Sequence, residues 1–190
     1  VTSATITGDE PAWVGEVIRF WLEETPAEAR FKRDEALDAE IGRRFSVVHA
    51  DVSAITVDEA VASAHRALST VIVLDQFSRN MFRGSPKAFA SDAKALSVAR
   101  KAIMLGFDRE FDKYGRLFLY LPFEHSEDLA DQKRSVALIA GLGDAELDRY
   151  AVAHLEIIRR FGRFPHRNDV LARESTPEEL LFLKQPGSSF

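Results

Sequence analysis

A chain of 190 residues, 46% of them apolar, is long enough for one domain with a sizeable core and too hydrophobic for default disorder. Its 30 acidic residues against 25 lysines and arginines give a formal charge of −5, which argues against general nucleic-acid binding, and the lack of cysteine excludes disulfides and thiolate metal sites. The start, VTSATITGDEP, shows no basic-then-apolar signal pattern, and no apolar run approaches the ~20 residues of a membrane span, so the expectation is a cytoplasmic protein without a membrane partner.

In chain order, residues 1–9 read as a flexible N-terminus. Pro11 can occupy the first turn of a helix through Glu23, with Trp13, Val14, Val17, Ile18 and Trp21 along one face. Thr25-Pro26-Ala27-Glu28 reads as a capping box with proline at the first helical position. It opens a segment reaching Arg44 and Phe45, with a break near Arg33 and Asp34, and leaves His49 in a loop. Thr56-Val57-Asp58-Glu59 is a second box and opens a helical stretch to about Phe82. Ser85-Pro86 opens another, with Phe89, Ala93, Leu96, Ile103 and Phe107 on one face and Gly106 as its stop.

Residues 109–121 look helical and end at Pro122, which has no N–H to donate. Ser126 caps a helix through Ala140, stopped by Gly141, and Asp144 begins the next, which runs to Phe161. Thr176-Pro177-Glu178-Glu179 is a third box, opening a short helix to about Lys184, and residues 185–190 form a tail. No stretch sustains two-residue alternation, and Val71-Ile72-Val73-Leu74 reads as a buried helix because its flanks are helical and no partner strand exists. The fold class is therefore all-α: about eight helices as antiparallel hairpins packed in series, a single domain over 1–190, with no repeat of fixed period.

Three polar words interrupt this apolar pattern. In DQFSRN, Asp75 continues the stripe Leu68, Val71, Ile72, and Arg79 lies four residues on, within side-chain reach. A buried carboxylate must find a partner, so the pair is either an internal brace or the floor of a pocket with Arg79 and Asn80 at its mouth. In PFEHSED, His125 sits in a joint next to a helix N-terminus, where it can serve as acid, base or ligand, with Glu127 and Asp128 in the first helical turn. The spacing of His125, Glu127 and Asp75 does not call for a metal, and no cofactor motif is present. His154 and His65 lie on apolar stripes and read as satisfied core histidines.

The third word sits in RRFGRFPHRND, residues 159–169. Arg159 and Arg160 suit a helix C-terminus, and Gly162 suits a left-handed stop. Arg163, His166, Arg167 and Asn168 then project from an irregular segment stiffened by Pro165, beside Phe161 and Phe164. Guanidinium groups hold carboxylate or phosphate in bidentate fashion and stack on aromatic faces, so the segment reads either as an anion site or as an internal network.

Three stretches, LDQFSRNMFRGSPKAFASDAKAL (74–96), FLYLPFEHSEDLADQ (118–132) and HLEIIRRFGRFPHRNDVLARESTPEEL (154–180), resemble the bacterial family catalogued as domain of unknown function 924. The family pattern has Phe-Asp where this chain has Leu37-Asp38, and Leu-Gly-Arg where it reads Leu171-Ala172-Arg173. The resemblance implies an all-helical, tetratricopeptide-like right-handed stack in which the three polar words belong to one pattern. It carries no established activity and no catalytic residue.

Three classes of function remain. The first is a polar pocket for a small anion or a peptide carboxylate, with Asp75, Arg79 and Asn80 from a central helix, His125 and Glu127 from the joint, and Arg163, His166, Arg167 and Asn168 at the rim. The second is a hydrolase or lyase using His125 or His166 as general acid/base, with Asp75 setting the tautomer. The third is an interaction scaffold that takes a partner protein or a second subunit.

Overall fold

The computed structural model describes residues 10–188; the segments 1–9 and 189–190, including the expected flexible start, lie outside them. Every regular element among the described residues is helical, and none of these helices is long and apolar enough to cross a membrane. The chain forms two compact units: one runs to Arg83 and resumes over Lys87–Pro122, the other comprises Gly84–Pro86 and everything from Phe123 onward.

In the first unit, α1 (Ala12–Ile18) widens into a π-helical turn, Arg19–Glu24, and buries Val14, Val17, Phe20 and Trp21. Trp21 meets the Phe77 and Phe118 rings edge-on, 5.4 and 5.8 Å between centroids. Thr25 does not open a helix, contrary to its capping-box letters. Its N–H and hydroxyl both donate to the Phe20 carbonyl, at 2.9 and 2.7 Å, so that N–H is not there for Glu28. Arg30 donates to the carbonyls of Leu22 and Thr25, at 2.8 and 2.7 Å, and closes the wide turn. The next helix, α2 (Glu35–Ala54), starts at the anticipated break, where the Asp34 carboxylate accepts from the Ala36 and Leu37 N–H groups. It runs well past Phe45, because residues 46–53 hold no glycine or proline to stop it, and so places His49 on a helix rather than in a loop.

Thr56 and Glu59 form their capping box, but the helix they open, α3 (Val57–Ala60), is a single turn. Ser63 caps a fresh start by accepting from the Arg66 N–H, which divides the expected long helix. α4 (Ala64–Val71) passes into a second π-helical stretch, Ile72–Phe77, and then α5 (Ser78–Met81); the VIVL run is helical and wholly buried. After a single 3-10 turn at Pro86–Ala88 comes α6 (Asp92–Met104), ended by Gly106 at φ 79°. α7 (Lys113–Glu124) continues through Pro122, where a stop was expected; a proline in the final turn forfeits one N–H, and the helix ends two residues later.

In the second unit, α8 (Leu129–Ala140) is capped by Asp128 rather than Ser126: the Asp128 carboxylate takes the Ala130 and Asp131 N–H groups, at 2.8 and 3.1 Å. The Ser126 hydroxyl instead donates to Asp131 and accepts from the Asp128 N–H. α9 (Ala145–Phe161) runs from its Asp144 cap to left-handed Gly162 and packs on α8. A 3-10 turn, Pro165–Arg167, leads to α10 (Pro177–Phe182), opened by the Thr176–Glu179 capping box. Ile157, Ile158 and Phe164, with Phe161 and Phe182 against them, form an apolar cluster. The inner face of α8 is mostly polar: Asp131, Gln132 and Ser135 are buried with Ile139.

Candidate functional site

The first polar word belongs to the first unit. Asp75 is fully buried in the π-helical stretch and accepts from the Gln76 amide at 2.6 Å. Arg79 stands 3.8 Å from Asp75 and grips Asp92 with two bonds of 2.8 and 2.9 Å. It also donates to the Ala88 carbonyl, and its guanidinium lies over the Phe89 ring at 4.7 Å. Burial works against the Arg79 charge, but Asp75 and Asp92 outweigh it and hold the guanidinium more firmly protonated than usual. Asn80 donates to Asp38 at 2.7 Å, and Arg83 binds the same carboxylate at 2.7 and 2.8 Å. Partial burial would raise the Asp38 carboxyl, yet the bonds from Arg83 and Asn80 bring it below its ordinary range. Asp38, Arg83 and Asp92 are partners that local spacing did not name.

The third word, and the second from Phe123 onward, belong to the second unit. Three arginines of RRFGRFPHRND hold carboxylates: Arg159 pairs with Glu156 at 2.9 Å, Arg160 with Glu178 at 2.8 Å, and Arg163 with Glu179. The last pair is bidentate, 2.7 and 2.8 Å, and Arg163 also donates to the Glu174 carbonyl. The Glu179 carboxylate further accepts from the Thr176 N–H and the Asn168 amide. Arg163, ahead of the other donors, brings its pKa down to about 2. Glu127 lies before the cap of α8, not in its first turn; it receives both arms of Arg173, at 2.7 and 3.0 Å, and the Phe164 N–H at 2.8 Å. Those donors outweigh its burial and lower its pKa.

Arg167 is buried; its guanidinium lies 4.4 Å from the Phe164 ring centroid and donates to the His125 carbonyl at 3.1 Å. Two imidazoles, His154 and His166, stand against Phe164, and the His125 ring stands beside His154. The His154 ring is 6.4 Å from that of His125 and 5.7 Å from Phe164, and His166 lies 5.6 Å from Phe164 on centroids. His154 is buried, as its apolar stripe predicts, and its Nδ1 meets the Tyr150 carbonyl at 2.8 Å and a Glu124 carboxylate oxygen at 3.4 Å. Burial, reinforced by the neighbouring His125, Arg167 and His166, pushes this imidazole down to about 3 despite the Tyr150 bond. His154 is therefore neutral near pH 7 with its proton on Nδ1, because a carbonyl only accepts, and its Nε2 carries the lone pair. The two remaining histidines lie in the first unit: His49 bonds the Ser78 hydroxyl at 2.8 Å, and His65 stands edge-on to Phe111.

Sequence reasoning missed Glu124 and the polar row on α8, all of it buried. Gln132 donates to the carbonyls of Glu124 and Ser126, which flank His125, at 2.5 and 2.7 Å. The only available signal was a run of polar letters, Asp131, Gln132 and Ser135, where a helix should bury apolar ones. Among the described residues, no group of three or more His, Asp or Glu side chains is placed to hold a metal ion. A shallow cleft on the same unit is floored by Ile157, Phe161 and Phe182, with Glu156 and Arg160 at its edge.

Comparison with known proteins gives two matches. Residues 17–187 fit the profile of a family described as bacterial protein of unknown function, DUF924. The solved structure of a protein of unknown function, ATU0120 from Agrobacterium tumefaciens, is similar at a TM-score of 0.86 and 38% identity, covering 91% of this chain and 97% of that one. No curated protein matches.

Proposed function

We propose a function for a chain that belongs to DUF924, a family of bacterial proteins of unknown function: its second unit binds a small anion, a free carboxylate or phosphate or the carboxylate end of a peptide. One observation carries the reading. This unit gathers the buried His154 and Arg167 side chains and the half-buried His166 ring against one phenylalanine, with the half-buried His125 ring beside His154, where a helical protein ordinarily places aliphatic side chains. Arg167 supplies positive charge, and His125 and His166 supply ring N–H donors. Glu127, Arg163 and Asn168 hold the surrounding chain in place through their partners Arg173 and Glu179. Asp75, Arg79 and Asn80 brace the first unit in this reading.

Binding is favoured over catalysis by magnitude. A histidine whose pKa lies near 3 is a weak base at neutral pH, so His154 serves as an acceptor rather than a proton carrier. Acid-base chemistry would fall to His125 or His166. The tetratricopeptide-like stacking belongs to this proposal too; the α8–α9 hairpin, joined through Gly141 and Gly143, supports it.

The test is a thermal-shift and calorimetric titration with phosphate, acetate and a short peptide. A probe at 100 times its dissociation constant adds about 2.7 kcal/mol of apparent stability. His125→Gln and His166→Gln should each weaken binding about tenfold or more with little change in unliganded Tm. Arg163→Ala should instead lower the unliganded Tm by about 5–10 °C, because it leaves the buried Glu179 carboxylate without its main partner. Absence of any shift at millimolar probe would end the anion reading.

A further inference from the structure

The inner face of α8 carries two polar atoms that the protein does not satisfy. Gln132 and Ser135 are both 0% exposed. The Gln132 amide nitrogen is occupied by the carbonyls of Glu124 and Ser126, which fixes the orientation of the amide and makes its other atom an acceptor. Among the described residues no group donates to that Oε1, and none bonds the Ser135 hydroxyl. The two residues are three apart on one helix, so their side chains are neighbours. A buried acceptor left unmatched is costly, and a neighbouring hydroxyl left unmatched doubles the cost. Such a pair offers an acceptor and a hydroxyl that one small group able to donate and accept would match.

We propose that Gln132 and Ser135 form a hydroxyl-binding subsite adjoining His125, so that the ligand of the second unit is a small hydroxylated anion of the hydroxy-acid class rather than a bare carboxylate. The inference rests on the anion reading of the same unit. The link between the two is covalent and short: the carbonyls gripped by Gln132 belong to the residues on either side of His125. In this arrangement the hydroxyl donates to Gln132 Oε1 and accepts from Ser135, while His125, His166 and Arg167 face the carboxylate.

Acetate and glycolate form the matched pair of probes, since they differ by one hydroxyl. Calorimetry on the full chain should give glycolate about tenfold tighter binding than acetate, the size expected when buried polar groups gain a partner. Ser135→Ala should bring the ratio close to one, leave acetate affinity unchanged and leave the unliganded Tm unchanged or higher. Ser135 is the informative position, because replacing Gln132 would also release the two carbonyls it holds. If the wild-type protein binds neither anion, the anion reading falls and this inference with it. If it binds both equally, the anion reading stands, the pair belongs to a buried water and the hydroxyl subsite is refuted. A glycolate preference that survives Ser135→Ala refutes it as well.

Discussion

At the residue scale the backbone makes one demand that its side chain does not suit. Ala172 is left-handed at φ 52°, a conformation that glycine adopts freely and an L-residue adopts at a cost of about 1 kcal/mol. The position follows Leu171 and precedes Arg173, which carries the grip on Glu127. Ala172→Gly should therefore raise stability by about 0.5–1 kcal/mol in urea unfolding at unchanged slope, and a decrease would mean that the alanine methyl contributes packing worth more than the strain. The sequence marked this position only by the glycine of the family it resembles. Spacing also placed Arg79 within reach of Asp75, but the carboxylate Arg79 holds most closely is Asp92. The helix between them is wound as a π turn, so the four-residue rule misjudges how the side chains face, and no local rule reaches thirteen residues ahead to Asp92. His154 reads as a buried histidine from its stripe alone; Glu124, Arg167 and His166 around it come from other parts of the chain and leave no mark on that stripe.

At the scale of the element, legibility follows the reach of the interaction. The Thr56 and Thr176 boxes close within four residues, and both form as spelled. The same letters at Thr25 fail because a π turn upstream offers the Phe20 carbonyl first. The end of α2 was unreadable for the opposite reason: its stop is supplied from a distant helix. Lys94 donates its ammonium to the carbonyls of Val52 at 3.1 Å, Ser53 at 2.8 Å and Ile55. Three charge-assisted bonds on the last turn predict that Lys94→Met costs about 1–2 kcal/mol. Amide exchange should localise the loss to residues 52–55; uniform exchange rates in that turn would show that the ammonium is dispensable.

On the scale of the whole molecule, stability should depend on acid in two steps. The His154 pKa is about 3 in the folded protein against 6.5 when unfolded, so the unfolded chain binds a proton first and stability falls as pH drops from 6.5 toward 3. Glu179 is lowered to about 2 from 4.5, so its contribution is present above 4.5 and lost as pH falls toward 2. Each proton contributes a slope of up to about 1.4 kcal/mol per pH unit. The free energy of unfolding should thus decline by about 2 kcal/mol between pH 6.5 and 5, and His154→Gln should flatten that limb and leave the steeper loss below pH 4.5. An unchanged limb in the variant would assign the acid sensitivity elsewhere. The all-α class was legible because helical periodicity and caps are local signals. The division into two compact units was not, since it depends on which helices meet across long separations, and it assigns DQFSRN to one unit and GRFPHRN, with PFEHSED from Phe123 onward, to the other.

The Glu179 carboxylate also bears on the order in which the protein is made. It completes the capping box of α10 and receives Arg163 and Asn168, both translated before it. Six residues are too few for a helix to persist alone in water, so α10 forms on arrival at groups already laid down. The loop to be closed is short and its closure entropy small, so α10 can dock as soon as it has emerged from the ribosome, without waiting for distant parts of the chain.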